Sequence, residues 1–187
     1  MKKSRMTALM VAIVLAISTV VGCGAKENQK EVIKKSITEE LDSVKNLDEK
    51  FMEDCIEAAG ASELEAMGID PEEFVKTYLS DFDYTVGDIT VEDEKATVNV
   101  TLKCKDFTAY AGELEKAATE MLTDMEEMGN LSKEEVKKKM AAIILDSMSG
   151  LEVKETEPIA VEYELVDGKW VVSSDSEQKI TNALFSM

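Results

Sequence analysis

A strict alternation of apolar and polar residues over residues 95–105 is the pattern that most restricts how this chain can fold. The apolar positions of this stretch are Ala96, Val98, Val100, Leu102 and Cys104, and the polar positions between and after them end at Lys105. A period of two places the two sets on opposite faces of a β-strand. A strand with one apolar and one polar face is typical of an antiparallel sheet that is covered on one side.

A second strand with a local irregularity is predicted just before this one. In residues 82–86 the apolar side chains occupy the even-numbered positions. After Gly87, in residues 89–91, they occupy the odd-numbered positions. A change of parity at a glycine indicates a β-bulge. We therefore expect the two strands to pair across a bulge at Gly87.

A β-hairpin is predicted near the end of the chain. Asp167-Gly168 is a dipeptide that favours a two-residue hairpin turn. Counting outward from this turn predicts two facing pairs on one side of the sheet, Leu165 with Trp170 and Tyr163 with Val172.

Helical patterns surround these strands. From Glu31 to Gly60, apolar residues recur mostly three or four positions apart, which predicts one long helix or one that is broken once. Residues 108–128 and 132–149 predict a helical hairpin. A final helix follows Ser174. The fold class is therefore α+β, with an antiparallel sheet of about four strands packed against a long N-terminal helix and an inserted helical hairpin.

The N-terminus has the pattern of an export signal. Lys2, Lys3 and Arg5 precede the apolar, uncharged run of residues 6–21. This run of 16 residues is shorter than the roughly 20 that a membrane-spanning helix needs, so we interpret it as a signal peptide. An ordinary secretory signal with an incidental cysteine and an uncleaved anchor are the alternatives.

The residues Val20-Val21-Gly22-Cys23 resemble the bacterial lipobox. This resemblance implies that the Cys23 thiol carries a thioether-linked lipid, with palmitate-type chains, and becomes the new N-terminus when residues 1–22 are removed. Two or three acyl chains hold a protein lastingly on a membrane. The implied product is a lipid anchor and tether over residues 23–30 and a single α+β domain over residues 31–187, on the extracytoplasmic face of the cell membrane.

The charge of the chain excludes several classes of partner and chemistry. The chain has 21 basic and 39 acidic residues, for a net charge of −18, and loss of the three basic residues of the signal lowers it to −21. Nucleic-acid binding is not expected, because phosphate contacts need basic patches. The chain has no histidine, which removes histidine-based catalysis and histidine metal sites. We predict no cofactor and no metal site.

A wider resemblance concerns the folded domain. The lipobox with Cys23, the Asp167-Gly168-Lys169-Trp170 turn and the strand pair from Tyr84 to Lys105 are together similar to bacterial NTF2-like or cystatin-like lipoproteins, many of which are domains of unknown function. The resemblance implies a concave sheet and brings no catalytic residues. The helical hairpin at residues 108–149 departs from a minimal version of that fold.

The functional expectation is a binding module without an active site. The residues that could line a ligand pocket between the sheet and the helices are Tyr84, Tyr163, Trp170, Met121 and Met125; the alternative is that they only form the core. Cys55 and Cys104 either form a disulfide or remain two buried thiols. We expect the partner to be an envelope protein or a small ligand. An envelope enzyme or a carrier of small apolar ligands is the alternative.

Overall fold

The computed structural model describes residues 20–21, 26–128 and 132–184, which form helices and one antiparallel sheet. The helices are α1 (Lys26–Lys45), α2 (Glu49–Ala59), α3 (Ala61–Met67), α4 (Pro71–Tyr78), α5 (Tyr110–Met128), α6 (Lys133–Ser149) and α7 (Ser174–Leu184). The strands are β1 (Val20–Val21), β2 (Asp83–Glu92), β3 (Lys95–Lys105), β4 (Val153–Glu155), β5 (Ile159–Val166) and β6 (Lys169–Val172). The predicted α+β class is confirmed.

The sheet has the strand order β1-β6-β5-β3-β2, and every neighbouring pair is antiparallel. β4 pairs with the last residues of β3, along the same edge of β3 on which β5 pairs with the first residues. Thr156 joins the two segments, because its N–H donates to the Leu102 carbonyl at 2.8 Å and its hydroxyl accepts from the Leu102 N–H at 3.0 Å. The described residues thus form six strands rather than about four, since β1 and β4 are too short to show an alternation.

The core lies between the sheet and α1. Ile33, Ile37, Leu41 and Val44 of α1 are completely buried. They share one cluster with the apolar faces of β3, β5 and β6. Burial of four such side chains contributes on the order of 2 kcal/mol each to folding. This contact fixes the position of the N-terminal helix on the sheet.

One boundary of the N-terminal helices differs from the sequence prediction. α1 begins at Lys26 rather than Glu31, so the last five residues of the predicted tether are helical. Of the two alternatives, the helix broken once is observed: α1 ends at Lys45, and Leu47 follows with a φ of 53° before α2 starts. Gly60, with a φ of 77°, ends α2 as predicted.

The predicted bulge in β2 is confirmed. Val86 pairs with Val100 and Ile89 pairs with Val98, so two residues of β2 lie opposite Asn99 alone. Gly87 is one of the two, and a Cβ atom added to it would lie 3.3 Å from the Asn99 carbonyl oxygen. The close approach of two backbones therefore explains the glycine.

The predicted terminal hairpin is also confirmed. Asp167 and Gly168 have φ values of 50° and 76°, as a tight two-residue turn with two left-handed residues requires. The facing pairs are those expected, Leu165 with Trp170 and Tyr163 with Val172.

Lys105 is an exception to the alternation of β3. Its position was predicted to face solvent, but it is only 3% exposed. Its ammonium lies 3.3 Å from the carbonyl oxygen of Ser149 and 3.8 Å from a carboxylate oxygen of Asp81. The prediction was wrong because the end of α6 covers this end of the strand, and a cation there interacts favourably with the last carbonyls of a helix.

Substitution of Gly87 by alanine should destabilise the domain. The new methyl group would press on the Asn99 carbonyl, and we expect a loss of about 1 kcal/mol in the free energy of unfolding, measured by urea denaturation. Gly112→Ala is the matched control, because a Cβ there meets nothing within 4 Å. It lies in α5, where alanine favours the helix by up to about 1 kcal/mol. Equal stability of the two variants would contradict this account of the bulge.

Candidate functional site

Two of the predicted pocket residues lie together beneath α1. Tyr163 of β5 and Trp170 of β6 are 1% and 0% exposed and belong to the main core. On the helix side, Ser36 and Glu40 are buried polar residues of α1. Glu40 is close enough to Tyr163 for its charge to affect the tyrosine, so the core contains buried polar groups where the second half of α1 faces β5.

The buried polar atoms of this region include two donors, and the Glu40 carboxylate, an acceptor, lies near Tyr163. The Tyr163 hydroxyl and the Trp170 Nε1 are buried and have no hydrogen-bond partner among the described residues. Burial raises the pKa of Tyr163, and the nearby negative charge of Glu40 raises it further, so this hydroxyl is neutral and can donate. Buried donors are nearly always paired in proteins, so these two groups are exceptional within the core.

Ser36 and Glu40 were not predicted as site residues, although the sequence contains a signal for them. They follow Ile33 and Ile37 at intervals of three residues, which places them on the flank of the apolar stripe of α1. Polar residues on the flank of a buried stripe face a neighbouring element when that element is close. Only the fold shows that β5 and β6 lie there.

Tyr84 does not belong to the same region. It lies on β2, which the strands β3 and β5 separate from β6. Its hydroxyl donates to the Asp42 carboxylate at 2.7 Å and lies 3.2 Å from the Thr38 carbonyl oxygen. Burial, followed by the hydrogen bond to Asp42, raises the pKa of Tyr84 to about 12. The side chain thus attaches the outer strand to α1, and the cavity that Tyr84 borders has a volume of only about 40 Å³.

Met121 lies in a different part of the molecule. It is 7% exposed and lines a groove of about 340 Å³ between α5 and α6. The residues around this groove are Ala117, Glu120, Met121, Lys139, Ala142, Ile143, Asp146 and Ser147. The Met125 side chain lies outside the described residues. The predicted pocket residues therefore do not form one site.

Cys55 and Cys104 are free thiols in the structure. Both pack in the main core, where Cys55 is buried and Cys104 is half-buried. Burial raises the pKa of Cys55 to about 12 and also raises the pKa of Cys104, whose Sγ donates to the Ala183 carbonyl at 3.5 Å. Thiols with raised pKa values are poor nucleophiles.

The described part of the chain shows neither a metal centre nor a membrane span. Among these residues, no three histidine, cysteine or carboxylate side chains lie close enough together to hold a metal ion. Likewise, no described helix combines the length and apolar character needed to cross a bilayer.

Comparison with known proteins gives little similarity. No protein-family model matches the chain, and no curated protein matches it. The fold resembles the crystal structure of a candidate lipoprotein, YcdA, from Bacillus subtilis, with a TM-score of 0.45 and 14% sequence identity over 88% of this chain. The chain spans about half (51%) of the YcdA chain. This similarity is too weak to assign a family, and the NTF2-like resemblance stays a prediction.

Removing the Tyr84 hydroxyl should change both stability and its dependence on pH. Because the Tyr84 pKa is raised, its contribution is fully present below the ordinary tyrosine value near 10 and is lost as pH rises towards 12. We expect Tyr84→Phe to lower the free energy of unfolding by about 1 kcal/mol at pH 7. The difference from the unsubstituted protein should shrink between pH 10 and 12 in urea denaturation. A difference that did not vary with pH would contradict the assignment.

Proposed function

We propose that this chain is a lipid-anchored protein of the extracytoplasmic face of the cell membrane, whose folded domain binds a partner and catalyses no reaction. The observation that carries the proposal is Cys23, which follows a basic n-region and a short apolar run in a lipobox-like context. A thiol is the nucleophile that such lipidation needs.

Only a short segment would connect the lipid anchor to the folded domain, because α1 starts soon after Cys23. Cys23 lies three residues before Lys26, the first residue of α1. Three residues span at most about 10 Å. Because α1 is fixed on the sheet by its buried stripe, the lipid would hold the N-terminal end of α1 close to the membrane surface. The net charge of −21 repels an anionic surface, so the lipid supplies the attachment.

The chemistry of the side chains supports binding rather than catalysis. The chain has no histidine, and burial raises the pKa of every tyrosine, at positions 78, 84, 110 and 163. Neutral tyrosines and protonated thiols are weak bases and nucleophiles near pH 7. The partner we propose is an envelope protein or a small ligand.

A carrier of small apolar ligands is the second candidate, because the groove beside Met121 has the volume of a small ligand site. Native mass spectrometry of the membrane-extracted protein tests it. A bound apolar molecule that is lost in Met121→Trp, but kept in Met140→Trp, would support it, because Met121 lines the groove whereas Met140 is 41% exposed.

Metabolic labelling with an alkyne-bearing fatty acid tests the anchor. We expect label on the unsubstituted protein and on Cys55→Ala and Cys104→Ala, which serve as matched controls for the other two cysteines. Cys23→Ala should lose the label completely and retain residues 1–22, as intact mass would show. Label that persists in Cys23→Ala, or a processed protein without lipid, would refute the proposal.

A further inference from the structure

The edge of the sheet at β6 is covered by residues that the proposed processing removes. β1 consists of Val20 and Val21, which pair with Trp170 and Lys169. Both valines precede Cys23. We propose that cleavage uncovers the β6 edge, and that this edge then binds an extended, apolar segment of a partner protein as an added antiparallel strand. This inference rests on the proposed function, because it requires removal of residues 1–22.

The register of the terminal hairpin identifies the backbone groups that would be uncovered. In a two-residue hairpin the pair next to the turn, Val166 and Lys169, is hydrogen-bonded, and the following pair is not. The Leu165 N–H indeed points away from β6, since it donates to the Glu94 carbonyl at 2.8 Å. The N–H and C=O groups of Trp170, opposite Leu165, therefore point towards β1.

The same alternation continues one step along β6. The Ser173 N–H donates to the Glu162 carbonyl at 2.9 Å, so this pair bonds across the hairpin. The backbone groups of Val172, which lies between Trp170 and Ser173, therefore also face the outer edge. The described residues of β1 pair with Trp170 and Lys169, so removal of β1 uncovers the outward groups of Trp170, and those of Val172 continue the same edge. Such an edge is a template for strand addition.

The kind of segment that would bind the β6 edge follows from β1, which covers this edge before cleavage, and from the net charge of the chain. Val20 and Val21 are apolar and uncharged, so the edge accepts an extended aliphatic segment. A second copy of this chain is disfavoured, because each processed copy carries a net charge of −21. We therefore infer a different protein, with an extended apolar segment and basic flanking residues.

Hydrogen exchange on the processed protein tests the inference. The protein is purified from the membrane in mild detergent and compared with unprocessed Cys23→Ala. We expect the amide of Trp170, which β1 covers, to exchange at least about tenfold faster in the processed form. A synthetic peptide with the sequence of residues 17–22, ISTVVG, should restore protection and change the fluorescence of Trp170, the single tryptophan of the chain. It should leave Cys23→Ala unchanged.

Two controls test whether the backbone carries the binding. The same peptide methylated on the amide nitrogen of Val20 keeps every side chain and should bind at least about tenfold more weakly. Val172→Pro removes an edge N–H and should lose peptide binding, whereas Val172→Ala loses similar side-chain contacts and should keep it. If Val172→Pro does not fold, the exchange rates and the methylated peptide still test whether the β6 backbone binds the added strand.

The outcomes separate the inference from the proposed function. An intact mass that still includes residues 1–22 refutes the proposed processing and the inference with it. A processed, lipidated protein with slowly exchanging β6 amides and no peptide response overturns the inference alone. Light scattering that shows a stable dimer with protected β6 amides would also overturn it, since a second copy would then occupy the edge.

Discussion

The packing of α1 against the inner face of the sheet is the contact on which the rest of this structure depends. Four fully buried aliphatic residues of α1 meet the apolar faces of β3, β5 and β6. At the far edge of the sheet, the hydrogen bond from Tyr84 to Asp42 connects β2 to the same helix. Because the helix begins only three residues after Cys23, the packing that forms the core also determines which end of the domain would face the membrane.

Local patterns predicted those elements whose signals lie within a few residues. The bulge at Gly87 and the turn at Asp167-Gly168 were predicted with their registers, because backbone conformation limits the residues that fit there. The sequence did not predict β1, β4 or the burial of Lys105. Two- and three-residue strands carry no period, and Lys105 is covered by α6, which lies far away along the chain. Such contacts depend on tertiary packing that no local pattern records.

The same limit applies to the candidate site. Alternation correctly indicated that Tyr163 and Trp170 face inward, but it could not show which inward faces meet. Tyr84 bonds to α1 at the opposite edge of the sheet, and Met121 lines a groove in the helical hairpin. Ser36 and Glu40 can be recognised in the sequence as polar residues on the flank of the apolar stripe of α1. Their significance emerges only when the hairpin is placed against α1.

The most direct test of the account is energy transfer from Trp170 to a fluorescent lipid headgroup, with the lipidated protein reconstituted in vesicles. Trp170 pairs with Val20, three residues before Cys23, so it lies at the end of the domain that the anchor would hold near the bilayer. We expect strong transfer, and a large loss of transfer when a flexible linker of about 20 Gly/Ser residues is inserted after Gly24. Weak transfer that the linker does not change would contradict the account.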